Sequence, residues 1–144
     1  MQIETLPMLP ILNEEETIAK CKRKLEEYPR WREIAQDPAE QRITQMFTFE
    51  PRSGSGPSKA VERLALRKVQ AEQELEEIEQ ALSRMFHPDY RLIICRKYLE
   101  FPTSTNYMIG QELGVESTTF QKMLRNALLA FAHSYRDGIL VVES

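Results

Sequence analysis

Residues 106–125 read NYMIGQELGVESTTFQKMLR, and the spacing inside this stretch decides the fold. Gly110 and Gly114 stand four apart, with Ile109, Leu113, Val115, Phe120 and Met123 set around them. Two helices that cross closely at a tight turn impose such a pattern. The first helix needs a small residue where the second passes over it, which is Gly110. The turn needs a residue that tolerates positive φ, which is Gly114. Apolar side chains must fill the angle between the helices, and the other five residues stand at those offsets. A plain helical hairpin would require only the turn glycine, so agreement at every constrained position favours a helix-turn-helix unit. Its first helix is expected to be capped from Thr103-Ser104-Thr105 and to end at Leu113. Its second runs from Ser117 to Arg136.

If this unit reads DNA, its geometry selects the contacts. With Phe120, Met123, Leu124, Ala127 and Leu128 turned inward, the opposite face shows Ser117, Thr118, Gln121, Lys122 and Arg125. Gln pairs with adenine edges, Arg or Lys with guanine, and hydroxyls with bases or phosphates. The blander alternative is that any exposed helix face is polar. Between Met85 and Arg136, however, six basic residues (Arg91, Arg96, Lys97, Lys122, Arg125, Arg136) meet four acids (Asp89, Glu100, Glu112, Glu116), in a chain of formal net charge -3. That excess is modest, so few phosphate contacts are expected. Arg96 and Lys97, at the end of the preceding helix, are second-rank candidates for backbone contacts, and solvated surface is their plainer reading.

Working outward, Pro88 after His87 restarts a helix whose apolar face is Tyr90, Ile93, Ile94, Tyr98 and Leu99, stopping at Phe101-Pro102. Before it a long helix runs from Lys59 to about Met85, capped by Ser58. Ala71, Leu75, Ile78, Leu82 and Met85 follow a 4-3-4-3 spacing in it, and Val61 and Leu64 share the phase. This seam reads either as a short coiled coil or, the preferred reading, as packing on the protein's own helices. Residues 50–58, EPRSGSGPS, form a flexible linker. Ahead of the linker, a segment over 1–49 holds a loose arm and an amphipathic helix. That helix starts at Asn13 with Glu14, Glu15 and Glu16, and runs to about Gln36 with a kink or break near Tyr28 at Pro29. The tail Ile139–Val142, after Gly138, is β-prone. The expected class is all-α: an N-terminal amphipathic helix, a long central helix, and a helix-turn-helix domain within 59–144.

Composition excludes several classes. Charged residues make up 28% and hydrophobic ones 42% of 144 residues, ordinary for one small folded domain. No apolar run approaches the ~18 residues of a membrane span, and no signal peptide is apparent. Cys21 and Cys95 are too few for a disulfide scaffold and read as reduced thiols in a cytoplasmic compartment. His87 and His133 have no partner at metal-ligand spacing, and Gly54 and Gly56 lack the Gly-Lys-Ser/Thr of a phosphate loop. No enzyme, no metal and no cofactor is therefore expected.

From Glu72 to Val142 the chain resembles the ArpU family of phage late-operon (packaging and lysis) transcriptional regulators, related to RinA-type activators and similar to region 4 of sigma factors. The resemblance rests on the helix Ala71–Glu79, Pro88-Asp89-Tyr90-Arg91, Arg96-Lys97-Tyr98 and Glu112-Leu113-Gly114-Val115. Most specific is Leu124-Arg125-Asn126-Ala127-Leu128-Leu129-Ala130-Phe131-Ala132. One departure is Glu116, where members carry a serine cap on the recognition helix; here Ser117 follows one place later, and the carboxylate repels nearby phosphates. The resemblance implies a sequence-specific activator of late genes that binds double-stranded DNA at a late promoter or operator, engages host RNA polymerase, and works in the bacterial host cytoplasm. A homodimer is expected, with the seam or the apolar tail as interface. The alternatives are a phage DNA-binding packaging module, such as a small terminase-like subunit, and a pure protein-interaction domain.

Overall fold

The structure, a computed structural model, describes residues 12–36 and 59–143. The rest of the loose arm, the 50–58 linker and the Ser58 cap lie outside the described residues. Helix α1 (Glu14–Glu26) starts on Asn13, whose Oδ1 accepts the Glu16 N–H at 3.1 Å. Three glutamates in its first turn suit the positive end of the helix dipole. The expected break falls at Glu27, and α2 (Tyr28–Gln36) follows with Pro29 in its first turn, where a missing N–H breaks no helix bond.

Helix α3 (Lys59–Arg84) buries Val61, Ala71, Ile78 and Ala81, with Leu75 and Leu82 half-buried beside them. Its seam packs mainly on α2 and also on the last long helix. Two polar ties flank that packing: Lys24 Nζ of α1 to Glu74 at 2.8 Å, and Tyr28 OH of α2 donating to Glu79 at 3.2 Å. The periodic stripe is therefore used inside the chain.

Helix α4 (Pro88–Ile94) begins with Pro88 in its first turn, as expected. The helix does not continue regularly to Phe101. Cys95–Leu99 wind as a π-helical turn, closed by the Glu100 N–H on the Cys95 carbonyl at 2.9 Å. The wider winding brings Tyr98 back onto the buried side with Ile93 and Ile94.

Helices α5 (Asn106–Leu113) and α6 (Ser117–Ser134) follow, joined by a tight turn at Gly114. α6 stops two residues before the expected Arg136. Tyr135 turns extended and packs its ring on Phe131, with centroids 5.6 Å apart. Arg136 and Asp137 then take positive φ, and Gly138 (φ 81) follows. This turn sends the β-prone tail back over α1. The Asn13 N–H donates to the Val142 carbonyl at 2.8 Å, and Leu12 and Glu143 form an isolated antiparallel bridge. The fully buried Thr17 hydroxyl donates to the Asn13 carbonyl at 2.8 Å and accepts the Val142 N–H at 3.0 Å.

Among the described residues no strand forms beyond that bridge, and the fold is all-α. Cys21, Leu25 and Tyr28 share one buried cluster with Ile78, Ile93, Ile109, Phe120, Leu128 and Phe131. Helices on both sides of the 50–58 segment thus pack into one core. The α3 seam packs on the chain's own helices, and the tail bonds back to the start of α1 while Ile139 stays exposed.

Candidate nucleic-acid interface

The candidate interface is built on the α5–α6 turn. Thr105 caps α5 by accepting the Met108 N–H at 3.2 Å. At its other end Gly114 takes φ 71, ψ 34; its N–H bonds the Gln111 carbonyl at 3.1 Å, and the Val115 N–H bonds Gly110 at 3.0 Å. This pair of bonds is the Schellman closure, which needs a left-handed residue at Gly114. Ile109 and Phe120 are buried in the angle, with Leu113, Val115 and Met123 partly buried around them. At Gly110 the requirement is looser than glycine. An added Cβ would lie 3.7 Å from the Val115 carbonyl oxygen and 3.8 Å from Phe120 Cβ, ordinary contact distances.

With that angle filled, Ser117, Thr118, Gln121, Lys122 and Arg125 are all exposed. Glu116 is the α6 N-cap residue and makes no side-chain cap bond, as a glutamate there is expected to behave. The face is not fully open, however. α1 packs along α6, and the Cys21 thiol donates to the Leu128 carbonyl at 3.1 Å. The contact carries Glu14 to Arg125, at 2.8 Å. Gln121, Lys122 and Arg125 consequently line a groove whose other wall is Ile18 and Lys22 of α1.

The two second-rank residues are engaged inside the fold. Arg96 grips Glu112 through both carboxylate oxygens at 3.0 Å and also pairs with Glu100. Its guanidinium holds the Glu112 carboxyl below the usual carboxylate range. Lys97 donates to Asn106 Oδ1 at 2.8 Å, and burial, with Lys22 nearby, lowers its pKa from the ordinary lysine value. These contacts tie the π-helical turn to α5.

No family model and no solved structure matches the chain. A protein of Streptococcus phage O1205, described as "Putative autolysin regulatory protein ArpU", is 56% identical over 136 residues, covering 94% of this chain and 99% of that protein. The chain belongs to the ArpU family.

For this ArpU-family chain, the α5–α6 unit is where exposed polar side chains converge on a rigid support. No group of three or more His, Cys, Asp or Glu among the described residues is placed to hold a metal ion. His87 instead stacks on Tyr90, with centroids 4.0 Å apart. No described helix is long and apolar enough to cross a membrane. Sequence reasoning missed Glu14 and Lys22. Their only local signal is a place on the polar margin of the α1 stripe, and nothing local says that α6 lies beside it.

Proposed function

We propose that this ArpU-family protein is a sequence-specific DNA-binding transcriptional regulator, an activator of phage late genes that inserts the start of α6 into the major groove. The observation that carries the reading is the Gly114 turn with five exposed polar residues, Ser117 to Arg125, on the outer face of a packed helix. A helix of about 10–12 Å diameter matches a major groove about 12 Å wide. Gln121 is then the first base-edge candidate, Arg125 reaches a base edge or a flanking phosphate, and Lys122, with Ser117 and Thr118, makes the phosphate or mixed contacts. Arg96 and Lys97 stand behind them as backbone contacts of second rank. The phage relative is named for regulating an autolysin, which favours a lysis gene among the targets.

The partners in this reading are a late promoter and host RNA polymerase, with no catalytic step and no cofactor. Two copies would match a palindromic operator. The deciding measurement is a binding titration of late-promoter duplex against unrelated duplex, with wild type and a folded Gln121→Ala/Lys122→Ala/Arg125→Ala variant. Promoter preference in the wild type and its loss in the variant are expected, with about 1–3 kcal/mol per lost base contact. Equal binding of both duplexes, or wild-type affinity and salt dependence in the variant, removes the reading.

A further inference from the structure

The groove between α1 and α6 has a volume of about 340 Å³ and is lined by Ile18, Lys22, Gln121, Lys122, Leu124, Arg125 and Leu128. Leu124 and Leu128 are buried and Ile18 half-buried, so they make its floor, while the exposed Lys22, Lys122 and Arg125 make its rim. Three cations thus border one open hollow. Among the described residues neither Lys22 nor Lys122 forms an ion pair, and Arg125 has only Glu14. Elsewhere Lys24, Arg96 and Arg136 each sit against a carboxylate. Clustered like charges repel, and an anion among them relieves that repulsion.

We propose that Lys22 of α1 contacts the DNA phosphate backbone, and that with Lys122 and Arg125 it forms a seat for one phosphodiester bordering the major groove. The inference rests on α6 being the DNA-reading helix. Geometry then leaves α1 little choice. A helix fills the width of the major groove. A neighbour packed on it at an interaxial distance of about 8–10 Å therefore rides on the groove wall, where the phosphates stand. Lys22 projects from α1 toward the recognition residues, as its shared groove with Gln121 and Lys122 shows. Its positive field also reaches Lys97 in the π-helical turn. Glu14 does not close the seat, because an exposed ion pair is weak and a phosphate exchanges for its carboxylate on Arg125.

The test compares Lys22→Ala with Lys20→Ala, an exposed lysine of the same helix that lines a different hollow with Lys24 and Leu140. Both variants lose one charge, and thermal unfolding checks that both keep the fold. Affinity is measured as a function of salt on promoter and unrelated duplexes. Loss of one phosphate contact lowers the slope of log K on log salt by about 0.9, which is about fivefold in affinity at about 0.15 M salt. Lys22→Ala is expected to show that loss equally on both duplexes, with promoter preference intact, and Lys20→Ala to show neither change. If Lys22→Ala keeps the wild-type slope while the Gln121/Lys122/Arg125 variant loses binding, the α1 contact is wrong and the α6 reading stands. If that triple variant still binds like wild type, both fall together. Should Lys22→Ala unfold, Lys22→Gln replaces it and is judged by the same two outcomes.

Discussion

Gly110 and Gly114 stand four residues apart and answer to different physics. At Gly114 the backbone itself is left-handed (φ 71), and a Cβ there is strained although nothing crowds it. Gly114→Ala is expected to destabilise the protein by about 1–2 kcal/mol. At Gly110 the backbone is helical and a methyl meets only ordinary contacts, so Gly110→Ala is expected to be neutral or stabilising by about 0.5–1 kcal/mol. Denaturant unfolding of the two variants checks the opposite signs. Cys21 gives a pH dependence. Burial pushes its thiol up from 9.0 to about 12, and burial likewise pushes Tyr98 up to about 12. A folded-state pKa above the unfolded one means the neutral form is favoured by folding. The contribution of Cys21 is complete below pH 9.0 and drains away as pH climbs toward about 12. Stability should therefore fall across that window, and Cys21→Ala should make the fall shallower.

At the scale of elements, two of the contacts that hold α1 differ in strength. Thr17 joins its start to the C-terminal tail through a buried hydroxyl that donates to Asn13 and accepts from Val142. Thr17→Val keeps the shape and leaves the Val142 N–H without its acceptor, which should cost about 1–3 kcal/mol. Faster amide exchange at Val142 than at the α6 core would show that the tail is what loosens. On the other side, Glu14 and Arg125 are both about half exposed, so Glu14→Gln should change stability by no more than about 1 kcal/mol. On the proposed reading its effect on DNA binding is plainer: removing the carboxylate beside Arg125 should tighten binding and steepen the salt dependence. A weakened or unchanged affinity in the titration would mean that Glu14 orients Arg125 rather than competing for it.

For the whole molecule, the helices ahead of the 50–58 segment supply part of the core on which α6 rests. Leu25 is fully buried in α1, in the same cluster as Leu128 and Phe131 of α6. Leu25→Ala should cost about 2–5 kcal/mol. The loss should appear as one cooperative transition in which α1 and α6 lose amide protection together. Two separate transitions, with α6 outlasting α1, would show that the N-terminal helices are an accessory layer.

The sequence alone determined the Asn13 and Thr105 caps, the break ahead of Pro29, the Gly114 turn and the exposure of Ser117, Thr118, Gln121, Lys122 and Arg125 on α6. Each of these depends on sterics and hydrogen bonds within about four residues, which a reader of the chain can test in place. The α3 stripe announced a buried face but not its partner, since periodicity is the same whether α2 or a second copy covers it. The π-helical turn at Cys95–Leu99 was silent as well, because it answers to where Tyr98 must point. Tertiary structure alone joined Cys21 to Leu128, Glu14 to Arg125 and Thr17 to Val142, pairs 107, 111 and 125 residues apart. Such contacts come from the complementarity of whole packed surfaces, which no local window of residues encodes. That packing set an amphipathic helix beside the exposed face of α6 and put Lys22 in the groove lined by Gln121, Lys122 and Arg125.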